Sequence, residues 1–251
     1  MSSLDGMRVL VTGAAGGIGS LVAAQLRFGG AHVTGIDRAD CDTCNSFLRA
    51  DLGSEQGIAA LIGQLDQVRC DTLVNMAGLQ YCGPLAAQPP ASLWASYVVN
   101  LIAPAMLCQA VLPPMIARGH GQIINIGSML GVIPFAHFAA YSSTKAGLKG
   151  LSDALRRELA GSGVEVTHIS PRAVRTTTLS PAILKFAAAT GMHLDRPEKV
   201  ANRIVAAIAG GEREVRIGLP ERIFALVNSL APALADRALA GNDRKAAALF
   251  H

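Results

Sequence analysis

The chain of 251 residues has few aromatic and few charged side chains, which fill 4% and 16% of its positions. That charge content is below the roughly 25% of a typical soluble domain. Disordered chains combine high charge with few apolar residues, so a hydrophobic content of 51% excludes disorder. The 26 glycines follow no three-residue period, which excludes a collagen-like chain. The chain is therefore expected to fold and to bury a sizeable core.

The net charge is small, +4 at pH 7, and it is spread along the chain. The only tight basic cluster, Arg156-Arg157, is followed directly by Glu158. Because nucleic-acid binding depends on a dense basic surface, no nucleic-acid partner is expected.

The five cysteines are an odd number and do not make a disulfide framework. Cys41 and Cys44 form a C-x-x-C motif, but no second pair stands at the spacing of metal ligands. We interpret the two as reduced thiols in a loop rather than as a zinc site or a redox pair. No metal site is predicted.

Targeting and membrane signals are also lacking. Asp5, Gly6 and Arg8 interrupt any apolar run before the first hydrophobic segment, so we expect no signal peptide. We expect no membrane span, because no run of about 18 uninterrupted apolar residues is present. These observations predict a cytoplasmic protein.

Short β-branched runs alternate with helical hydrophobic patterns along the chain. Predicted strands cover residues 9–11, 31–36, 47–48, 72–74, 122–126, 164–169 and 214–217. Predicted helices cover residues 58–65, 91–99, 103–118, 142–160 and 198–209, and another follows the first strand and stops at Gly29. This alternation predicts an α/β fold with a parallel sheet covered by helices on both faces. No linker or repeat divides the chain, which predicts a single domain over residues 1–251.

The first predicted strand ends in a glycine-rich turn that opens a helix, with Gly13, Gly17 and Gly19. Glycines permit a tight turn and the close approach of a pyrophosphate, which the helix N-terminus then favours. Asp37 closes the second strand, where an acid accepts hydrogen bonds from the ribose hydroxyls and repels a 2′-phosphate. The pattern predicts NAD rather than NADP, although Arg38 beside the acid leaves NADP as the alternative.

A proton-transfer pair is indicated by Tyr141 and Lys145, which lie four residues apart on one face of a predicted helix. An ammonium beside a phenol favours the phenolate, so Lys145 is expected to lower the pKa of Tyr141 toward neutrality. Ser128 follows a predicted strand at its carboxyl end, where its hydroxyl is placed to hold a carbonyl oxygen. A tyrosine and a lysine at this spacing also fit a packed ring and a solvated amine.

Taken together and in order, these motifs resemble the short-chain dehydrogenase/reductase family, in its single-domain branch of this length. The matching segments are residues 12–19, Asp51-Leu52, residues 75–78, Asn100, Ser128, Tyr141 with Lys145, and Pro171 with Thr176. The resemblance implies a Rossmann-type, doubly wound parallel sheet of about seven strands. It also implies an oxidoreductase that uses NAD(P).

The resemblance assigns roles to individual residues. Tyr141 would act as general acid and base, Lys145 would hold the nicotinamide ribose, and Ser128 would polarise the substrate oxygen. Asn100 would fix a water in a proton relay behind Lys145. The implied cofactor-binding residues are Gly13, Ala15, Gly16, Gly17, Ile18, Gly19, Asp37, Arg38, Asp51, Leu52, Asn75, Ala77, Gly78, Tyr141, Lys145, Pro171, Val174 and Thr176.

The sequence departs from the family pattern in two places. Arg172 replaces the glycine that usually follows Pro171, and with Arg175 it is expected either to meet an anionic group or to face solvent. The usual ending of acyl reductases is missing, and residues 219–251 are instead predicted to form a helical tail. This tail is expected to cap the protein's own pocket, to pack on a partner subunit or to lie on a membrane surface.

Apolar side chains dominate the segments expected to face a substrate, which include a lid over residues 172–196. The predicted substrate residues are Ser128, Met129, Leu130, Phe135, Phe138, Tyr141, Leu179 and Ile183. This set predicts a hydrophobic secondary alcohol or ketone as substrate of a homodimer or homotetramer. The alternatives are an NADPH-dependent reductase of 3-oxoacyl thioesters or polar ketones, and a non-catalytic dinucleotide-sensing or scaffold protein on the same fold.

Overall fold

The computed structural model describes residues 4–65, 68–176 and 179–250, and for residues 219–223 it describes the backbone only. The strands are β1 (Arg8–Thr12), β2 (His32–Asp37), β3 (Ser46–Arg49), β4 (Thr72–Asn75), β5 (Gly121–Ile126), β6 (Val164–Ser170) and β7 (Glu214–Arg216). Within the described ranges these seven strands form one sheet in the order β3-β2-β1-β4-β5-β6-β7, and every pairing is parallel. The predicted doubly wound α/β fold is confirmed.

Helices connect the strands and cover the sheet. They are α1 (Gly19–Phe28), α2 (Glu55–Leu65), α3 (Pro90–Tyr97), α4 (Ala103–Ala117), α5 (Ala139–Glu158), α6 (Pro181–Thr190), α7 (Pro197–Gly210), α8 (Leu219–Leu230) and α9 (Pro232–Ala247). Short 3₁₀ turns lie at Leu85–Ala87 and Met129–Gly131, and a π-helical segment lies at Val98–Ile102.

Both faces of the sheet are buried, and β1 illustrates how the sequence achieves this. Val9 and Val11 point to one face, where they pack in a cluster with Val22 of α1 and Ile204 of α7. Leu10 points to the other face and packs in the cluster that α2 and α4 complete. A strand buried on both faces needs consecutive apolar residues, which explains both the β-branched runs and the low charge content.

The crevice between the strand ends is positioned by the point where the strand order reverses. β1 lies between β2 and β4, so the turn after β1 and the segment after β4 emerge side by side. Open parallel sheets bind ligands outside the carboxyl ends of their strands at such a reversal. The sheet order therefore brings the glycine-rich turn and residues 75–78 to one crevice.

Helices α3 and α4 form one continuous stretch through the π-helical segment, where the sequence had predicted two separate helices. This uncharged stretch, Pro90–Ala117, is long and apolar enough by length and composition to cross a membrane, and half of its most apolar window is buried inside the protein. The expectation of no membrane span overlooked it. Its apolar content has a structural use here, because Leu107 and Val111 pack against the sheet.

The lid contains a helix that the sequence analysis did not predict, α6. Ser180 caps it by accepting a hydrogen bond from the N–H of Ile183, and Gly191 ends it in a left-handed conformation with φ of +71°. The signals were present in the sequence as a Ser-Pro start and a glycine end. Residues 177–178 of the predicted lid lie outside the described ranges.

The tail, α8 and α9, packs on its own subunit beside the lid. Ala225 of α8 lies in a cluster with Met129 and Ile133, and the side-chain amide of Asn228 donates to the carbonyl oxygen of Val132 (3.2 Å). Ala246 of α9 is buried in the cluster that α6 contributes to. Of the three interpretations of the tail, these contacts support the capping of its own pocket.

Candidate active site

The glycine-rich turn has a shape that only glycine tolerates at two positions. Gly13 has a φ of +70°, and a Cβ there would lie 2.8 Å from the Cα of Ala77. A side chain at Gly19 would collide with the carbonyl oxygen of Gly13. Helix α1 begins at the end of this turn, and among the described residues no side chain caps its first N–H groups. Such an uncapped N-terminus, approached by bare backbone, fits a pyrophosphate.

Thr12 ties the turn to the segment after β4. Its hydroxyl accepts hydrogen bonds from the N–H groups of Met76 (2.9 Å) and Ala77 (3.1 Å). The two walls of the crevice are therefore held at a fixed separation.

Asp37 lies at the end of β2 beside the turn. One of its carboxylate oxygens accepts from the N–H of Ala15 (3.0 Å), and the other accepts from the N–H of Arg38 (2.7 Å). These bonds fix the carboxylate next to the turn, where the sequence predicted the ribose contact.

The residues after β3 divide between the surface and the core. Asp51 is exposed and accepts a hydrogen bond from the N–H of Gly53 (3.0 Å). Leu52 is buried in the cluster with Ile58 and Leu61. Leu52 was predicted to bind the cofactor; its side chain packs in this cluster, so a contact with the cofactor would use its backbone.

Tyr141, Ser128 and Lys145 meet at the carboxyl end of β5. The Ser128 hydroxyl acts on the Tyr141 phenol, whose pKa it lowers. The Nζ of Lys145 donates to the carbonyl oxygen of Ile126 (2.9 Å) and lies 5.8 Å from the centre of the Tyr141 ring. Gly131 makes room for this packing, because a Cβ there would lie 2.7 Å from the backbone of Lys145.

Burial dominates the pKa values of the tyrosine and the lysine. It raises the pKa of the Tyr141 phenol, and the Ser128 hydroxyl lowers that pKa only in part. Burial also lowers the pKa of the Lys145 ammonium to about 8. In the protein by itself the pKa of Tyr141 therefore lies above its usual value, because burial removes the hydration of the phenolate, and the prediction that Lys145 brings this pKa toward neutrality is not met there.

Asn100 lies in the π-helical segment and is fully buried. Its side-chain oxygen accepts from the N–H of Leu79 (2.7 Å), and its amide donates to the Leu79 carbonyl oxygen (2.8 Å) and to the hydroxyl of Thr144 (3.1 Å). The side chain thus joins α5 to the segment that follows β4. π-Helical segments are frequent at functional sites.

Gly78 lies between Asn100 and Lys145. A Cβ at this position would stand 3.3 Å from the Oδ1 of Asn100 and 3.6 Å from the Nζ of Lys145. Asn75 turns the other way, into the protein, and donates to the Oδ1 of Asn125 (2.9 Å). Of the predicted segment 75–78, Gly78 is thus the residue beside the lysine.

Residues after β6 close the crevice from the opposite side. The Pro171 carbonyl oxygen accepts from the N–H of Met129 (2.9 Å), which fixes the loop of Ser128. A Cβ at Gly17 would lie 3.1 Å from the Cβ of Thr176, so Thr176 lies directly against the glycine-rich turn. This placement is compatible with its predicted contact to the nicotinamide end of a dinucleotide.

Arg172 is held by a carboxylate of the protein itself. It forms a two-pronged ion pair with Asp195 (2.9 and 2.7 Å), and Val174 makes a β-bridge with the same residue. Burial acts to raise the pKa of the Asp195 carboxyl, but the hydrogen bonds and charge of Arg172 outweigh it and hold that pKa below its usual value. Arg175, in contrast, is exposed. The Arg172–Asp195 pair anchors the lid at its two ends.

Apolar side chains of the chain segment before Tyr141 pack with the lid and the tail. Phe138 is fully buried and meets Phe186 of α6 edge-to-face, with ring centres 4.9 Å apart. The cluster consists of Cys82, Leu130, Phe135, Phe138, Leu179, Ala182, Ile183, Phe186, Met192, Ala246 and Phe250. Met129 packs in a neighbouring cluster with Ile133 and Ala225. The predicted substrate residues are thus gathered together by the lid and the tail.

Sequence reasoning missed several residues of this site. Thr144 supports Asn100 and stands inside the Y-x-x-x-K motif, but its hydroxyl carries no signal of that role in the sequence. Asp195 is distant in sequence from Arg172, and Phe250 lies in a segment without a recognisable motif. The sequence predicted only that Arg172 meets an anionic group or faces solvent, and it gave no sign that Asp195 supplies this group.

Among the described residues, no group of three or more His, Cys, Asp or Glu side chains is placed to hold a metal ion. The glycine cradle, the uncapped helix and the acid at the end of β2 together fit an adenine dinucleotide. The tyrosine, serine and lysine at the far end of the same crevice fit the transfer of a proton to or from a substrate oxygen. The fold and the site define an NAD(P)-dependent oxidoreductase of the Rossmann type.

A family model described as short chain dehydrogenase matches residues 7–185, and the chain belongs to the short-chain dehydrogenase/reductase family. It is 32% identical over 229 residues to Ketoacyl reductase HetN of Nostoc sp., which covers 86% of this chain and 79% of that protein. It is 32% identical over 187 residues to D-threitol dehydrogenase of Mycolicibacterium smegmatis, which covers 69% and 72%. A solved short-chain dehydrogenase from Sphingobium yanoikuyae in complex with NADPH has a TM-score of 0.75 at 25% identity and covers 92% and 95%.

Proposed function

We propose that this oxidoreductase interconverts a hydrophobic secondary alcohol and its ketone with NAD(H). The observation that carries the proposal is that the chain between Ser128 and Tyr141 supplies Leu130, Phe135 and Phe138 to the apolar cluster of the lid and tail. An apolar enclosure with two convergent polar groups is the usual form of a site for a small hydrophobic ligand.

The proton chemistry belongs to Tyr141. Its hydroxyl donates the proton to the substrate oxygen in reduction and removes it in oxidation, while Ser128 hydrogen-bonds the same oxygen. When bound, the nicotinamide supplies or accepts the hydride. Lys145, fixed by the Ile126 carbonyl oxygen, adds a positive charge that favours the phenolate.

The lining of the pocket favours a hydrophobic substrate over a polyol or a thioester. The two clusters next to the Ser128–Tyr141 segment are rich in phenylalanine, leucine, isoleucine and methionine side chains. A polyol hydroxyl in such a pocket would lose its hydrogen bonds to water, at a cost of about 1–3 kcal/mol each. The relatives named above act on ketoacyl groups and on D-threitol, and they provide the alternatives against which the substrate class is tested.

A panel of secondary alcohols and ketones, followed by NADH absorbance, tests the substrate class. We expect kcat/KM to rise about fourfold for each added methylene until the cavity is full, because each buried methylene contributes about 0.8 kcal/mol. Polyols such as threitol and 3-oxoacyl thioesters are the comparison substrates. Higher kcat/KM for either of these than for every apolar alcohol or ketone would contradict the proposal.

Asp37 is proposed to set the preference for NAD. The Asp37→Asn variant keeps an oxygen for the N–H of Ala15 but removes the charge that repels a 2′-phosphate. We expect the Kd of NADPH to fall about fivefold or more and the Kd of NADH to rise, as measured by cofactor fluorescence. Asp40→Asn is the matched control, because Asp40 pairs with Arg49 on the exposed side of the same loop.

Two outcomes would redirect the assignment. Tighter binding of NADPH than of NADH by the unmodified protein would favour the alternative in which Arg38 accepts the 2′-phosphate of a reductase. Binding of dinucleotide without turnover of any alcohol or ketone would favour a sensing or scaffold protein on this fold.

We also propose that the protein is cytoplasmic and forms a homodimer or homotetramer. Trp94, Tyr97 and Ile102 are exposed on the stretch that runs through α3 and the π-helical segment, and they offer an apolar surface for a second copy.

A further inference from the structure

The C-x-x-C motif lies where the adenosine end of the crevice begins. Cys41 and Cys44 flank a turn between β2 and β3, and their Sγ atoms are 3.1 Å apart. Both side chains are partly exposed, whereas Cys70, Cys82 and Cys108 are buried. The structure therefore separates one close, accessible pair of thiols from three enclosed ones.

We propose that Cys41 and Cys44 are a redox modification site, which a low-molecular-weight disulfide converts to an intramolecular disulfide, and that this bond weakens the binding of the adenine dinucleotide. The second clause rests on the proposed function. The formation of the disulfide does not depend on that function, because it involves only the two sulfur atoms and an external oxidant. It goes beyond the interpretation of these cysteines as reduced loop thiols.

The loop holds the two sulfurs close to bonding distance from both sides. Cys44 lies against bare backbone, since a Cβ at Gly35 would come within 2.6 Å of its Sγ. Asn45, the next residue, is anchored on β2 by the carbonyl oxygen (2.8 Å) and N–H (2.9 Å) of Val33. A disulfide has an S–S length of about 2.05 Å, so the sulfurs need to approach by only about 1 Å.

The reaction proceeds by two exchanges that balance in atoms and electrons. The thiolate of Cys41 attacks one sulfur of the external disulfide, which forms a mixed disulfide and releases one thiolate. The sulfur of Cys44, after loss of its proton to solvent, attacks the Cys41 sulfur and releases the second thiolate. The two cysteines lose two electrons, and the external disulfide gains them and ends as two thiols.

The surroundings of the pair decide the order of these steps. Burial, followed by the hydrogen bond and charge of Cys41, raises the pKa of the Cys44 thiol to about 12. Cys44 thus keeps its proton at neutral pH, and Cys41 is the sulfur that attacks first. Only a thiolate is an effective nucleophile in disulfide exchange.

The link to the cofactor passes through the glycine-rich turn. The Sγ of Cys41 donates to the carbonyl oxygen of Ala14 (3.2 Å), and the neighbouring N–H of Ala15 donates to Asp37. In the disulfide, Cys41 has no hydrogen to donate, and its sulfur is drawn toward Cys44. The bond therefore removes a contact that holds the turn beside the ribose-binding acid.

The test compares the reduced protein with protein treated with glutathione disulfide. We expect intact mass to fall by about 2 Da and two of the five thiols to become unreactive under denaturing conditions. Peptide mapping should place the bond between residues 41 and 44. The Kd of NADH should rise about fivefold or more and return to its first value after reduction with dithiothreitol.

Single variants show which cysteine takes part in each step. Cys44→Ser should instead accumulate glutathione on Cys41, and Cys41→Ser should gain neither bond, while Cys70→Ala should respond like the unmodified protein. A mass that stays unchanged under excess glutathione disulfide would overturn the modification site. Formation of the bond with an unchanged Kd for NADH would overturn the link to the cofactor. If the reduced protein binds no dinucleotide at all, the proposed function fails. The intact mass and the thiol count still show whether the disulfide between Cys41 and Cys44 forms.

Discussion

Tyr141→Phe is expected to lower turnover by about 10²- to 10⁴-fold, the usual contribution of a general acid or base, while leaving dinucleotide affinity unchanged. The phenylalanine ring fills the same volume, so the apolar packing at the base of the pocket is kept. Only the hydroxyl that exchanges the proton is removed. Initial rates in both directions and a fluorescence titration with NADH measure the two effects.

Tyr97→Phe is the matched control for this variant. The Tyr97 hydroxyl forms a hydrogen bond with Ser143 of α5, with 2.7 Å between the two oxygens. This hydroxyl is exposed and lies outside the crevice. We expect turnover within about twofold of the unmodified protein, because an exposed hydrogen bond contributes little. Comparable losses in Tyr97→Phe and Tyr141→Phe would show that removing a tyrosine hydroxyl next to α5 is enough to disturb the site. Full activity of Tyr141→Phe would refute the mechanism.

The sheet could be predicted because each strand is marked by a short run of consecutive apolar residues. Val9, Leu10 and Val11 must all be apolar when both faces of β1 are covered, and the same condition marks the other strands. Helix ends were predicted less well. Helix α5 begins at Ala139 rather than near residue 142, because the backbone of Phe138 and not a polar cap starts it.

The polar residues of the site could also be predicted from the sequence, because Ser128 follows a strand directly and Tyr141 and Lys145 are one helical turn apart. The direction in which the Tyr141 pKa shifts could not be predicted, because burial is a property of the whole fold. Nor could the sequence show that Arg172 forms an ion pair with Asp195, which lies 23 residues further along the chain. The same holds for the place of Phe250, which stacks on His137 at 4.7 Å, since the tail reaches the pocket through tertiary packing alone.

Lys145→Met is expected to affect oxidation more than reduction at neutral pH. The Lys145 ammonium, with a pKa lowered to about 8, is charged below that pH and lies 5.8 Å from the Tyr141 ring centre. Its charge favours the phenolate, the form that oxidation requires, whereas reduction requires the phenol. For each unit by which the phenol pKa rises without the ammonium, the phenolate fraction at pH 7 falls about tenfold.

The rising limb of the oxidation pH profile should therefore shift to higher pH in Lys145→Met, and kcat for reduction at pH 7 should fall by less than kcat for oxidation. Lys149→Met is the control one helical turn further on, where the ammonium pairs with Asp153 (2.7 Å) away from the tyrosine. It should leave both profiles in place. Equal losses in both directions with an unshifted profile would mean that Lys145 only holds the cofactor. The asymmetry between directions thus separates an electrostatic effect on the phenol from a loss of binding, which lowers both rates alike.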